Sequence, residues 1–406
     1  MTNILRSMAI VAIAAMFLAA CGRAPAPLTH DAYVWQRQWT PALRDAIASS
    51  SDLVRDWRVL VAQADRNGAF HTFTPDRDVL ARSGRPVVLV VRIDGRLTGF
   101  DAGVLTDRIA ALVTGWPAAT LAGIEIDYDC PTARLPAYTA FLAQLRPRLG
   151  SLSLSITALP TWLASADLDA LLAVPDESVL QVHAVQAPQA GLFDPSVAGR
   201  WVAEFAAHTH KPFRVALPTY GSRVSWNEDG SLLAVESERS ALAAGATSSE
   251  LYAAPDTLLA FVEHLTKDRP PGLAGIVWFR LPTADDTRAW GLATWRGVIR
   301  GRLDTRPLSL TLQPGASASA PSDVILENVS ATDAAPPSRV ALPATCELAD
   351  GIDGYRLQRT GSSLELLAEG ARPIPAHTRR AIGWARCKPG TPLTLSPTPA
   401  QGTPVS

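Results

Sequence analysis

The segment Gly123-Ile-Glu-Ile-Asp-Tyr-Asp-Cys130 sets Glu125, Asp127 and Asp129 at every second position. Side chains alternate between the faces of a strand, so these acids share one face and Ile124, Ile126 and Tyr128 share the other. Carboxyls crowded on one face repel each other and lose hydration, which raises the pKa of at least one. A carboxyl still protonated at neutral pH is what a general acid requires, and an ionised neighbour stabilises developing positive charge. Asp129, Asp127 and the deeper Glu125 are therefore the catalytic candidates. The competing reading is a ladder of carboxylates neutralised by arginines of adjacent strands, with Arg92 and Arg280 as the expected partners.

Other chemically capable residues end neighbouring apolar runs. These are Trp35 and Arg37, Arg92 and Asp94, Gln181 and His183, Tyr220, and Trp278 with Arg280. Trp and Tyr suit the apolar faces of a ring-shaped ligand such as a sugar, and Arg and Gln suit its hydroxyls. Each has a plainer alternative. Trp278 suits plugging a core, and His183 suits a hydrogen-bonded interior histidine. Asp94 suits capping the turn at Gly95. Ser153, Ser155 and Thr157 make one side of their run polar and small, which packing alone also explains. The long segment 222–249, with Trp226, Asn227, Glu228 and Asp229, reads as a lid or an exposed turn.

Positioning these groups calls for strands alternating with helices. Apolar runs predict strands at 32–37, 57–64, 86–93, 121–129, 152–159, 179–185, 213–220 and 273–281. Helical spacing of Val104, Leu105, Ile109, Leu112 and Val113 predicts a helix within 100–116. Helices are also expected at 134–149, 196–208 and 254–266, with Pro195 and Pro255 near two of their starts. Such alternation implies a parallel sheet. Eight units over residues 30–302 match a (β/α)8 TIM barrel, so the fold class is α/β. Without a Gly-rich loop after the first strand, a doubly wound open sheet is the lesser alternative. Carboxylates inside a barrel climb toward its C-terminal mouth, where barrel active sites lie. Residues 303–396 change character to short strand-like runs broken by Gly, Pro, Ser and Ala, which predicts a small β-sandwich-like region. Residues 397–406 read as a tail.

With 47% hydrophobic residues and a formal net charge of -1, the chain has globular composition and lacks the basic stripe of a nucleic-acid binder. Residues 1–20 combine Arg6 with an apolar run too short to span a bilayer, which needs ~20 residues. The run closes on Leu18-Ala19-Ala20-Cys21-Gly22. This resembles the lipobox of bacterial lipoproteins, which implies cleavage before Cys21, a lipid on its sulfur and a tether over 21–29. Gly22 after the cysteine implies outer-membrane sorting by the same resemblance, with the protein facing the periplasm. An oxidising compartment permits Cys346 and Cys387 to pair and leaves Cys130 a lone thiol. No Cys/His spacing suggests a metal site, and no cofactor is expected.

The acidic strand is similar to the strand-four motif of family 18 glycoside hydrolases, the chitinase type, Asp-Gly-x-Asp-x-Asp-x-Glu. Ala122 stands at the first Asp, Gly123 matches, Glu125 takes the second acidic place and Asp127 matches. Asp129 stands where that family has its acid Glu. Leu217-Pro-Thr-Tyr-Gly221 and Gly275-Ile-Val-Trp278 resemble that family's strands seven and eight. Strand six departs, with Gln181-Val-His183 in place of Met-x-Tyr-Asp. The first strand 32–37 with Trp39, the acidic strand and 217–221 also resemble a bacterial lipoprotein family of unknown function, number 3142. Together these resemblances imply a glycosidase-like barrel, a polysaccharide or oligosaccharide partner, Asp129 as acid and Asp127 as supporting carboxylate. A non-catalytic carbohydrate-binding or scaffold lipoprotein remains the second reading. Metal-dependent deacetylation is a weaker third, since strand six offers only His183.

Overall fold

The computed structural model describes residues 27–97, 100–183, 192–226, 232–236, 247–317, 320–369, 372–392 and 394–395, for 223–250 and 394–395 the backbone alone. Cys21, the leader, Asn227, Glu228, Asp229 and residues 397–406 lie outside the described residues, as does the side chain of Trp226.

Eight parallel strands close on themselves. In chain order they are β1 (Thr29–Val34), β2 (Trp57–Ala64), β4 (Val87–Ile93), β5 (Leu121–Tyr128), β6 (Ser153–Ala158), β7 (Glu177–Gln181), β8 (Phe213–Pro218) and β12 (Leu273–Phe279). Each pairs with its sequence neighbour, and β12 returns to β1. A short β3 (Phe70–Thr72) pairs antiparallel with β2 at the rim. After β8 an antiparallel sheet is inserted from β9 (Gly221–Trp226), β10 (Leu232–Glu236) and β11 (Thr247–Tyr252). Thus part of the long segment after the seventh barrel strand is sheet.

A helix follows every barrel strand: α1 (Pro41–Ser50), α2 (Arg77–Arg82), α3 (Ala102–Thr114), α4 (Leu135–Leu145), α5 (Leu168–Leu172), α6 (Pro195–His208), α7 (Pro255–Lys267) and α8 (Leu292–Ile299). Local chemistry sets their starts. Thr40, Asp76, Asp101 and Asp194 each accept a hydrogen bond from a backbone N–H of the first helical turn, satisfying donors that the helix leaves free. The apolar stripe of α4 (Leu135, Tyr138, Phe141, Leu142, Leu145) packs on the outer face of β5, and the Tyr138 hydroxyl donates to the Ile126 carbonyl at 3.2 Å. Ile124, Ile126 and Tyr128 thus face helices, which sends the three acids of β5 into the barrel.

The remaining strands form two antiparallel sheets. One orders β16 (Cys346–Gly351), β19 (Thr378–Cys387), β14 (Ser322–Asn328), β13 (Ser309–Gln313) and β20 (Thr394–Leu395); the other orders β15 (Arg339–Ala341), β18 (Ser363–Ala368) and β17 (Tyr355–Thr360). Leu310, Leu326, Leu366 and Ile382 share a core drawn from both sheets. Cys346 and Cys387 are opposed on β16 and β19 and form a disulfide. Asp333 ties this region to the barrel. Its Oδ2 accepts from the Gly291 N–H at the start of α8 (2.7 Å) and its Oδ1 from the Ala376 N–H (3.0 Å). Its own N–H donates to Thr294 Oγ1 at 2.8 Å.

Candidate functional site

The barrel interior is stacked in tiers. At the N-terminal end the first inward positions carry charge. Arg58, 1% exposed, donates to Asp31 Oδ2 (3.0 Å), to Glu177 Oε1 (2.5 Å) and to Glu125. Arg214 Nε donates to Glu177 Oε2 at 2.9 Å and lies 3.4 Å from Asp31 Oδ2. Ser155 donates to Glu125 at 3.0 Å. Gly275 makes room for this network, because a Cβ there would stand 2.3 Å from Arg214 Nη1. Above it Tyr33, Leu60, Val90, Val179, Ala216 and Val277 form an apolar plug. Glu125 therefore belongs to the lower tier. Burial pushes its pKa up and Arg58 opposes that. Its neutralising arginine is Arg58, in place of the expected Arg92 and Arg280.

The upper tier holds Asp127, beside Thr157 and Gln181. Thr157 Oγ1 donates to Asp127 Oδ1 at 2.8 Å and Gln181 Nε2 donates to the same oxygen at 3.3 Å. Among the described residues, no arginine is within salt-bridge reach. Burial and the adjacent Asp129 charge raise the Asp127 pKa to about 7, against the pull of Arg92. Asp129 stands just past the end of β5, half-buried, and its Oδ1 is enclosed with no hydrogen-bond partner among the described residues. Burial raises its pKa too, with Asp94 adding and Arg92 opposing. Two interacting carboxyls of this kind titrate as a pair and hold a proton between them near neutrality.

The backbone under Asp129 is fixed from two sides. A Cβ on Gly95 would stand 2.0 Å from the Asp129 carbonyl oxygen, so only glycine allows that turn to approach. On the far side the indole N–H of buried Trp162 donates to the Cys130 carbonyl at 3.0 Å. The Cys130 thiol is buried and its pKa is pushed up to about 12, so it is an inert filler.

The other nominated residues divide. Arg92 lies beside Asp127 in the strand register, with its guanidinium 5.8 Å from the Trp35 ring centre. Trp35 packs edge-on against Phe279 at 5.0 Å, and Phe279 stacks on His183 at 5.4 Å. His183 Nδ1 is 3.1 Å from the Ala216 carbonyl, and burial lowers its pKa to about 4. Arg280 lies 6.0 Å from the Tyr220 ring and pairs with Asp286. Asp94 closes its turn by accepting from the Arg96 N–H at 2.9 Å, which lowers its pKa. Arg37 is exposed on the rim and donates to Gln63 at 2.8 Å.

Two expectations are corrected. The first strand spans 29–34 and not 32–37, so Trp35 and Arg37 lie beyond its end. Trp278 does not reach the mouth. The inward parity of β12 belongs to Val277 and Phe279, whereas Trp278 is fully buried against the outer layer, its indole N–H donating to His30 Nδ1 at 3.1 Å and its ring beside Trp290. Sequence reading missed Arg58, Glu177, Arg214 and Phe279. Charged residues inside otherwise apolar strands were the available signal for the first three. Among the described residues, no group of three or more His, Cys, Asp or Glu is arranged to hold a metal ion.

The chain thus forms a closed eight-stranded parallel (β/α)8 barrel with Asp127 and Asp129 at the C-terminal end of β5. Residues 83–284 match the model of a domain of unknown function, DUF3142, and residues 312–388 match a second, DUF8456. No curated protein matches the sequence. Among solved structures, the Bacillus cereus spore cortex-lytic enzyme SleL is similar at 13% identity and a TM-score of 0.50, over 68% of this chain and 74% of that one. The Bacillus megaterium SleL gives 13% identity and 0.49 over 68% and 75%. A chitinase from Chromobacterium violaceum gives 13% and 0.49 over 68% and 98%. At this identity the SleL likeness is one of fold.

Proposed function

We propose that this chain hydrolyses a polysaccharide of the cell envelope or its surroundings. Asp129 protonates the glycosidic oxygen, and Asp127 stabilises the positive charge that develops on the sugar, directly or through a substrate acetamido group. One observation carries this reading. Asp127 is buried and Asp129 half-buried beside it, with no guanidinium in salt-bridge contact among the described residues, and burial raises both carboxyls, Asp127 to about 7, which favours a proton on the pair near neutrality, as a general acid requires. Thr157 and Gln181 hold Asp127 through neutral donors that orient the carboxylate without neutralising it. Trp35 and Phe279 supply an aromatic wall beside the pair.

We also propose that Cys21 is lipidated and holds the protein to the outer membrane facing the periplasm. The chain enters β1 at the barrel's N-terminal end, opposite the carboxyl pair. An anchor there turns the mouth away from the lipid surface. Cys21→Ser should move the protein from the membrane to the soluble fraction.

The test of the hydrolase is product detection. Protein starting near Pro25 is incubated with chitooligosaccharides, poly-N-acetylglucosamine, peptidoglycan and exopolysaccharides, and new fragments are sought by mass spectrometry. Fragments from the wild type and none from Asp129→Asn support the reading. Fragments from both proteins would remove Asp129 from the chemistry. Silence from both with retained glycan binding would make the barrel a binding module.

A further inference from the structure

The loop after β12 separates two cavities that meet at Thr283 and Asp286. The first, about 400 Å³, lies at the mouth between Gln36–Thr40 and Arg280. The second, about 370 Å³, lies between that loop and the C-terminal sheets, against Tyr252, Arg372, Pro373 and Pro375. The aromatic series from Trp35 through Phe279 and Tyr220 to Arg280 and its partner Asp286 leads from Asp127 and Asp129 to this junction. The second cavity has a fixed floor. Asp333, which lines it, is held by Gly291, Thr294 and Ala376. Its far wall is fixed as well, since Arg372 and Arg380 both pair with Asp353.

We infer that the two cavities form one groove, and that the C-terminal region binds the part of a glycan chain distal to the reacting bond. This rests on the hydrolase reading for the mouth and adds a substrate class, a polymer several sugar units long. The lining fits that occupant. Tyr252 and the two prolines offer apolar faces to sugar C–H surfaces. Arg372 offers guanidinium donors to hydroxyls. Three carboxylates in or beside the lining, Asp286, Asp333 and Asp353, match its three guanidinium groups, Arg288, Arg372 and Arg380, which favours a neutral chain over a polyanion. Binding energy gained on remote sugar units can be used to lower the barrier at the reacting bond, so this groove would make turnover depend on chain length.

The test uses Thr287→Trp, which fills the cleft from an exposed loop position, and Arg372→Ala, which removes its donor. Affinities are measured by calorimetry on the Asp129→Asn background with chitooligosaccharides, poly-N-acetylglucosamine fragments and peptidoglycan glycan strands, each from dimer to octamer. In the parent, long chains of at least one ladder should bind roughly tenfold more tightly than short ones. Both variants should abolish that gain and leave the shortest binder unchanged. Affinity independent of length in every ladder, no binding at all, or equal weakening of short and long chains would overturn the inference. Fragment release by the wild type is scored separately. Length-dependent binding lost in Thr287→Trp, with no fragments from the wild type, would sink the hydrolase and keep the groove.

Discussion

Glu125 and Asp127 are two residues apart on one strand, face the same interior, and live in opposite electrostatic worlds. Glu125 is surrounded by Arg58, Ser155 and the lower network, where Asp31, Glu125 and Glu177 share Arg58 and Arg214. Asp127 and Asp129 meet hydroxyl and amide donors or no donor at all. An apolar layer of side chains keeps the tiers apart. Burial raises the pKa of carboxyls in both tiers, yet among the described residues the upper one lacks a contacting cation. Burial thus makes structure where a guanidinium answers it and an available proton where none does.

The contrast can be attacked from either tier. Arg58→Met should have the largest effect. It leaves Asp31 and Glu177 to Arg214 and the more exposed Arg55, and Glu125 with no guanidinium partner among the described residues, and removing one partner of a buried pair costs about 3–5 kcal/mol. Urea denaturation at neutral pH measures it. Wild-type stability in the variant would mean the lower tier adjusts its protonation without Arg58. Asp129→Asn should lower kcat by about 10²–10⁴-fold, the usual contribution of a general acid, with the circular dichroism spectrum unchanged. Gly95→Ala, a change outside the pair, should cost on the order of 10²-fold, because its methyl group must displace the Asp129 backbone. Rates equal to wild type would show that the turn yields and that Asp129 needs no such support.

The smallest expected effect is also the most specific. The folded-state pKa of Asp127 is raised from 3.8 to about 7, so between those values the folded protein binds more protons than the unfolded chain. Its contribution to stability therefore falls as pH rises through that window and is flat beyond it. Asp127→Asn removes the fall while keeping an oxygen for Thr157 and Gln181. Its melting temperature should match wild type near pH 4 and exceed it near pH 8. A variant less stable at both pH values would assign Asp127 to the architecture and not to the proton pair.

The barrel was legible because its strands are apolar runs of the right length. The strand at 57–64 has the expected bounds, and β5 ends one residue earlier than expected. Alternation alone put Glu125, Asp127 and Asp129 inside. Their division into two tiers was not legible. It depends on Arg58, Glu177 and Arg214, which come from three other strands and meet only when the sheet closes. Position along β1 failed because Thr29-His30-Asp31 reads as a polar approach, and Asp31 is tolerated in the strand through Arg55, Arg58 and Arg214. Trp278 failed on parity, which a rim-based expectation cannot fix. Gln181 and Thr157 stood out by strand position, but their shared acceptor is a property of neighbouring strands in register.

The clasp at Asp333 carries a consequence for how the molecule is made. The first turn of α8 takes an acceptor for its Gly291 N–H from a residue forty-two positions later in the chain. A nascent chain that has delivered every barrel strand still lacks that acceptor. The last barrel helix thus lacks one of its caps until the sheets beyond it arrive. A truncation after residue 302 would keep all eight parallel strands and still release an incomplete product, prone to fray from its final helix toward β12.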